Sequence, residues 1–89
     1  MTSVIRAIAF ANGQSCPHEG EWVKSFDHEA FNGRGHGVFT RELDEAMHFV
    51  SNSEALMFWG KQSQSKPWRP DGKPNKPMTA LTVEIETIL

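Results

Sequence analysis

The sequence predicts an α+β fold: a small antiparallel or mixed β-sheet of three to four strands, with two short helices at about 41–50 and 53–62 packed on one face. Three observations carry this. "MTALTVEIET" (78–87) alternates strictly, Leu81, Val83 and Ile85 against Thr82, Glu84 and Glu86, which is the pattern of a strand packed on one side and wet on the other. "VIRAIAF" (4–10) is rich in strand-forming residues and runs into the turn dipeptide Asn12-Gly13. Thr40 and Ser51 are helix-start signals, each followed by apolar residues at helical spacing.

Taken in order, the first strand spans 4–11. "EWVKSFD" (21–27) gives a second strand, with Trp22, Lys24 and Phe26 on one side and Val23 and Ser25 on the other. "FNGRGHG" (31–37) holds three glycines and reads as a flexible hairpin tip exposing Arg34 and His36; "VFT" (38–40) then pairs back on the second strand. Thr40 caps the first helix. Glu42, Asp44 and Glu45 favour its N-terminal dipole, and Leu43, Ala46, Met47 and Val50 form its apolar face. Ser51 and Glu54 have capping-box spacing for the second helix, with Ser53 as the alternative cap and a single helix kinked at Asn52 as the alternative arrangement. Residues 63–77 are loop. The expected core is Val4 or Ile5, Ile8, Phe10, Trp22, Phe26, Leu43, Met47, Leu56, Trp59, Leu81, Val83 and Ile85.

The 89 residues make one domain, 1–89, with a small core. Apolar residues at 38% and charged residues at 22% exclude a disordered chain, and no run of 18 apolar residues exists to span a membrane. The N-terminus lacks a basic region followed by an apolar run, so no signal peptide is expected. Cys16 is the only cysteine; it has no partner for an internal disulfide, which fits a reducing cytoplasm.

Charge is distributed unevenly. Residues 1–60 carry four Lys/Arg against eight Asp/Glu, whereas residues 61–76 carry five Lys/Arg against one Asp. These cations flank "KPWRPDGKPNKP" (66–77), which holds four prolines. Each proline fixes φ and pushes the preceding residue toward extended geometry, so the segment is stiff and partly polyproline-like. Pro70-Asp71-Gly72 is a turn in which the glycine takes positive φ. Trp68 either pins the loop to the body or stacks on a partner. The segment is thus a pinned crossover to the last strand or a preorganised contact surface.

Cys16 with His18, completed by His28 or His36, lacks the paired spacing of a structural zinc site, so no metal or other cofactor is expected and Cys16 reads as a surface loop cysteine. Cys16 with a histidine as nucleophile and base has no distinguishing context. "GRGHG" (33–37) fails both phosphate-loop spacings. Glu84 and Glu86 on one strand read as a solvated face.

"SFDHEAFNGRGHGVFTRELDEAMHF", "SEALMFWGKQS" and "RPDGKPNKPMTALTVEI" together resemble small bacterial proteins, often phage- or prophage-associated, that share the Arg-Pro-Asp-Gly-Lys-Pro-Asn tail motif. The resemblance covers about residues 22–85 and carries over no catalytic residues. It implies an accessory protein that binds and blocks something, as anti-CRISPR proteins do. The expected function is therefore non-catalytic binding of an acidic protein surface or a nucleoprotein complex, with contact to a nucleic-acid backbone included, through Lys66, Trp68, Arg69, Lys73, Lys76 and Arg34. The alternatives are a structural homo-oligomer, such as a homodimer, and a small enzyme using Cys16 or a histidine.

Overall fold

The computed structural model describes residues 2–88. Four strands, β1 (Thr2–Phe10), β2 (Trp22–Asp27), β3 (His36–Thr40) and β4 (Leu81–Ile88), form one antiparallel sheet in the order β3-β2-β1-β4. The α+β class holds. The strand with the strongest alternation, β4, lies at an edge, and the first strand lies inside. β1 and β4 pair from Thr2↔Ile88 to Phe10↔Leu81, with one irregularity between Ala7 and Ala9.

A β-bulge between Val23 and Ser25 corrects the simple alternation read for β2. The extra residue, Lys24, lets Val23 and Phe26 share the core face. Trp22 is consequently on the opposite face, where it pairs with Arg6 rather than joining the core. There the Arg6 guanidinium stacks 4.9 Å from the Trp22 ring centroid, and Trp22 Nε1–H donates to Glu86 Oε1 at 2.8 Å. Arg6 Nε also lies 3.4 Å from that oxygen. Glu86 is half-buried and engaged, which corrects its reading as part of a solvated face.

The helix expected at 41–50 is a single 3-10 turn, Leu43–Glu45. Strands β1 and β2 pair near Arg6↔Trp22 and then diverge, and the chain that follows the turn enters the gap. Met47 N–H donates to Val23 O (2.9 Å); Phe49 N–H and Ser3 N–H donate to each other's carbonyls, both at 2.8 Å. Pairing with two strands satisfies backbone groups that a helix would have satisfied internally, and it buries Ala46 and Phe49 while leaving Val50 exposed. Thr40 Oγ1 accepts from Glu42 N–H at 3.0 Å, a local turn rather than a helix cap.

The second helix forms as α2 (Asn52–Trp59), preceded in the chain by a single turn, α1 (Ala30–Gly33). Ser51 Oγ accepts from Glu54 N–H at 3.2 Å, as its capping spacing predicts. Asn52 Oδ1 ties this end to the sheet by accepting from Ser3 Oγ and from Thr87 Oγ1. Ala55 is the buried residue of α2, and Phe58 and Trp59 pack inward. Leu56, assigned to the core, is exposed, because only the 55–58–59 stripe meets the sheet.

The core comprises Ile5, Val23, Phe49, Ala55 and Met78, ringed by Phe26, Phe39, Met47, Phe58, Trp59, Val83 and Ile85. Phe10 is largely outside it. The alternation predicts Met78 at the start of the last strand; it sits instead fully buried in a second 3-10 turn, Pro77–Ala80, so β4 begins only at Leu81. Cys16 is buried rather than a surface loop cysteine, and its Sγ accepts from His18 N–H at 3.4 Å. No helix among the described residues is long and apolar enough to cross a membrane.

Candidate functional site

The proline-rich segment folds as a small β-hairpin. Residues before Pro67, Pro70 and Pro74 are driven to extended geometry, which supplies two short arms. The arms meet in an isolated bridge, Trp68↔Pro74, flanked by Arg69 N–H to Lys73 O and Asn75 N–H to Pro67 O, both at 2.8 Å. Pro74 thus occupies the non-hydrogen-bonded position of the pair, where its missing N–H costs nothing. Gly72 N–H donates to Arg69 O at 3.0 Å, and Gly72 sits at φ +85°, as the turn chemistry of Pro70-Asp71-Gly72 requires. Arg69 Nη2 pairs with Asp71 Oδ2 at 2.9 Å across the turn.

The base of the hairpin is bolted to the body without using Trp68. Asn75 Nδ2 donates to Gly33 O (2.7 Å) and Lys66 O (2.9 Å). Gly33 makes this approach available: at φ +83° it favours glycine, and a Cβ there would fall 2.8 Å from Asn75 Nδ2 and from Lys66 Cβ. The preceding segment is held by Glu29. Its carboxylate accepts from Ser63 Oγ (2.6 Å), Gln64 N–H (2.8 Å), Ser65 N–H (2.8 Å) and Ser65 Oγ (2.7 Å). The Gln64 amide foremost, with the Ser63 and Ser65 hydroxyls and the Ser65 amide, holds the Glu29 carboxyl down at about 2. The expected flexible tip at 33–37 is therefore a packed platform: a Cβ on Gly35 would lie 2.7 Å from the Phe26 ring and 2.8 Å from Pro77.

Between platform and hairpin lies an open cleft of about 380 Å³. Its walls include Phe31, Arg34, Lys66, Trp68 and Arg69. Trp68 is 58% exposed and Phe31 69% exposed. Phe31 and Asn32 both adopt left-handed backbone, at φ 53° and 58°. Asparagine accepts that region readily; for phenylalanine it is a strained conformation. The edge of the Phe31 ring meets His36, with centroids 5.7 Å apart.

The structure thus brings four of the six predicted contact residues, Lys66, Trp68, Arg69 and Arg34, to one cleft. Lys76 lines a second cleft, of about 360 Å³, that shares Arg34 and Arg69 with the first. Lys73 projects from the hairpin turn, its N–H donating to Asp71 Oδ1 at 3.0 Å. Among the described residues, Arg34, Lys66, Lys73 and Lys76 take part in no ion pair. Phe31 and Asn32 are the residues that sequence reading missed; Asn32-Gly33 is a visible turn dipeptide, but nothing marks the phenylalanine before it.

The alternative chemistry is dispersed. His18 Nδ1 lies 2.9 Å from Glu21 Oε1, and its ring stacks on Phe39 with centroids 4.2 Å apart. His28 is buried between the rings of Phe26 and Phe58, and its Nε2 bonds to Phe58 O at 3.1 Å. Burial pushes its pKa down from the usual value. Among the described residues, no three His, Cys, Asp or Glu side chains gather as a metal site. In comparisons with known proteins, no family model, curated protein or solved structure matches the chain.

Proposed function

We propose that this is a binding protein, not an enzyme, that engages an anionic partner, an acidic protein surface or a nucleoprotein complex, through the proline-rich hairpin and the cleft at its base. The observation that carries this is the exposure of Trp68 on a hairpin that is already tied down by Asn75 and the Glu29 lock. Anchoring does not need the indole, so an exposed tryptophan among unpaired cations is explained by contact. Tryptophan and arginine are the side chains that dominate binding hot spots, and a hairpin rigid beforehand loses little entropy on association. The resemblance of residues 22–85 to phage-associated bacterial proteins supports a cytoplasmic inhibitor of a host complex, of the anti-CRISPR kind, as the setting.

The test is a charge reversal, Arg34→Glu with Lys66→Glu, on exposed side chains where melting should stay within about 0.5 kcal/mol of wild type. Host lysate, with and without nuclease, is passed over both proteins. The variant should lose the partners that wild type retains, and equal capture by both overturns the reading. A second reading, a homo-oligomer, is favoured by the edge position of β4 beside an apolar groove of about 440 Å³ lined by Leu56, Trp59, Val83 and Ile85. Sedimentation velocity separates the two, since only the second requires self-association.

A further inference from the structure

We infer that the Phe31–Trp68 cleft is a slot for an unpaired nucleobase, so that the anionic partner met there is single-stranded nucleic acid. This rests on the binding function proposed above and names its partner class. Two features of the cleft exceed what a surface for protein carboxylates needs. The first is a pair of exposed aromatic rings in one cleft, one from the platform and one from the hairpin. A carboxylate is met by cations and amides; a flat π-face is met by another π-face, and single-stranded nucleic acid joins such faces to a chain of phosphates.

The second feature is the backbone of Phe31. Left-handed geometry is unfavourable for a phenylalanine, and here the ring is not repaid by burial, since it stands 69% exposed. The core does not account for an aromatic side chain at this position; its one ring contact among the described residues is the edge-on packing with His36, which leaves the rest of the ring open to the cleft. A strained, exposed ring that lines one cleft with the exposed Trp68 of a tied-down hairpin offers a stacking platform. Asn32, also in the cleft lining, adds an amide able to meet a base edge.

Arg34, Lys66 and Arg69 line the same cleft; among the described residues Arg34 and Lys66 are in no ion pair, Arg69 exchanges its Asp71 partner for phosphate on binding, and the three supply the contacts to the flanking phosphates. The net charge of the chain is −2, but five of the nine Lys and Arg fall within residues 61–76. Of the acids close to the cleft, Glu29 is turned onto Ser63, Gln64 and Ser65, and Asp71 is paired with Arg69 at 2.9 Å. Duplex hides its base faces, so the slot selects unpaired strands.

The experiment is fluorescence anisotropy with labelled oligodeoxythymidylate and oligouridylate of about twelve nucleotides, within the usual single-strand site size. An abasic oligomer and a duplex of the same length serve as comparisons, and polyglutamate as the mimic of an acidic protein. Both single strands should bind, with log affinity falling at a slope of about −2 against log salt for three phosphate contacts. Trp68→Ala and Phe31→Gly should each weaken binding by about five- to a hundredfold. Phe31→Gly relieves the backbone strain, so its melting temperature should not fall, which separates loss of the ring from loss of the fold. Abasic and duplex oligomers should bind no better than the variants do. Equal binding of abasic and base-bearing strands, with no effect of Trp68→Ala, overturns the base slot and leaves a charge-only surface. Polyglutamate binding that is tighter than oligonucleotide binding and lost in Trp68→Ala overturns it in favour of an acidic protein. Binding to none of these polymers overturns the slot, while the broader reading stands or falls separately on the lysate capture with Arg34→Glu, Lys66→Glu.

Discussion

The three tryptophans show how one residue type is put to three uses. Trp22 covers Arg6 and bonds Glu86 on the open face of the sheet; Trp59 reaches under α2, with Nε1–H donating to Leu81 O at 3.1 Å; Trp68 stands out in solvent. Trp59→Ala removes half-buried apolar area and a hydrogen bond, and should cost about 2–4 kcal/mol in urea denaturation. Trp68→Ala should leave stability within about 0.5 kcal/mol. A large loss of stability from Trp68→Ala would make the hairpin a pinned crossover after all. The inward position of Trp59 was legible from its spacing after Ser51. The outward position of Trp68 was not, because sequence does not reveal that Asn75, seven residues on, already does the anchoring.

At the level of elements, local signals were read correctly where local chemistry decides: the Ser51 cap, the Pro70-Asp71-Gly72 turn and the alternation of β4. They misled where tertiary contacts decide. Residues 41–50 carry a helical apolar pattern, yet the gap between β1 and β2 offers their amides and carbonyls partners from two strands, and extended backbone wins. The bulge at Lys24 has no sequence mark, so the side taken by Trp22 and Val23 could not be derived from alternation. The Glu29 lock on residues 63–65 was equally invisible, being a contact across more than thirty positions. It makes a pH prediction. The Glu29 carboxyl is held at about 2 in the folded protein against 4.5 ordinarily, so its contribution is present above about 4.5 and lost as pH falls toward 2. His28, lowered from 6.5 by burial, acts in the same direction, its contribution present above 6.5 and lost as pH falls below it. Melting temperature should therefore fall steadily from neutral pH into acid. Glu29→Gln should be less stable than wild type at pH 7 and converge with it near pH 2; parallel curves would remove the lock from the account.

The molecule as a whole is a slab, 41 × 27 × 18 Å, built on a single four-stranded sheet. Positive charge, strain and exposed aromatic area converge on the hairpin and its platform, while the acidic residues lie mainly elsewhere in the chain. Pairing β1 with β4 along its whole length also has a consequence in time. During synthesis β1 is the first strand made and β4 the last, with Phe10 and Leu81 meeting across roughly seventy intervening residues. At about 5–20 residues per second the interior strand waits about 4–14 s for its main partner. Through that interval Val4, Ile5 and Ala7, each fully buried at the end, have no finished sheet to enter. Nascent chains of this protein should depend on holding factors until β4 has left the ribosome, and closure of the sheet, dominated by contacts between distant residues, should be slow on the scale of small helical proteins.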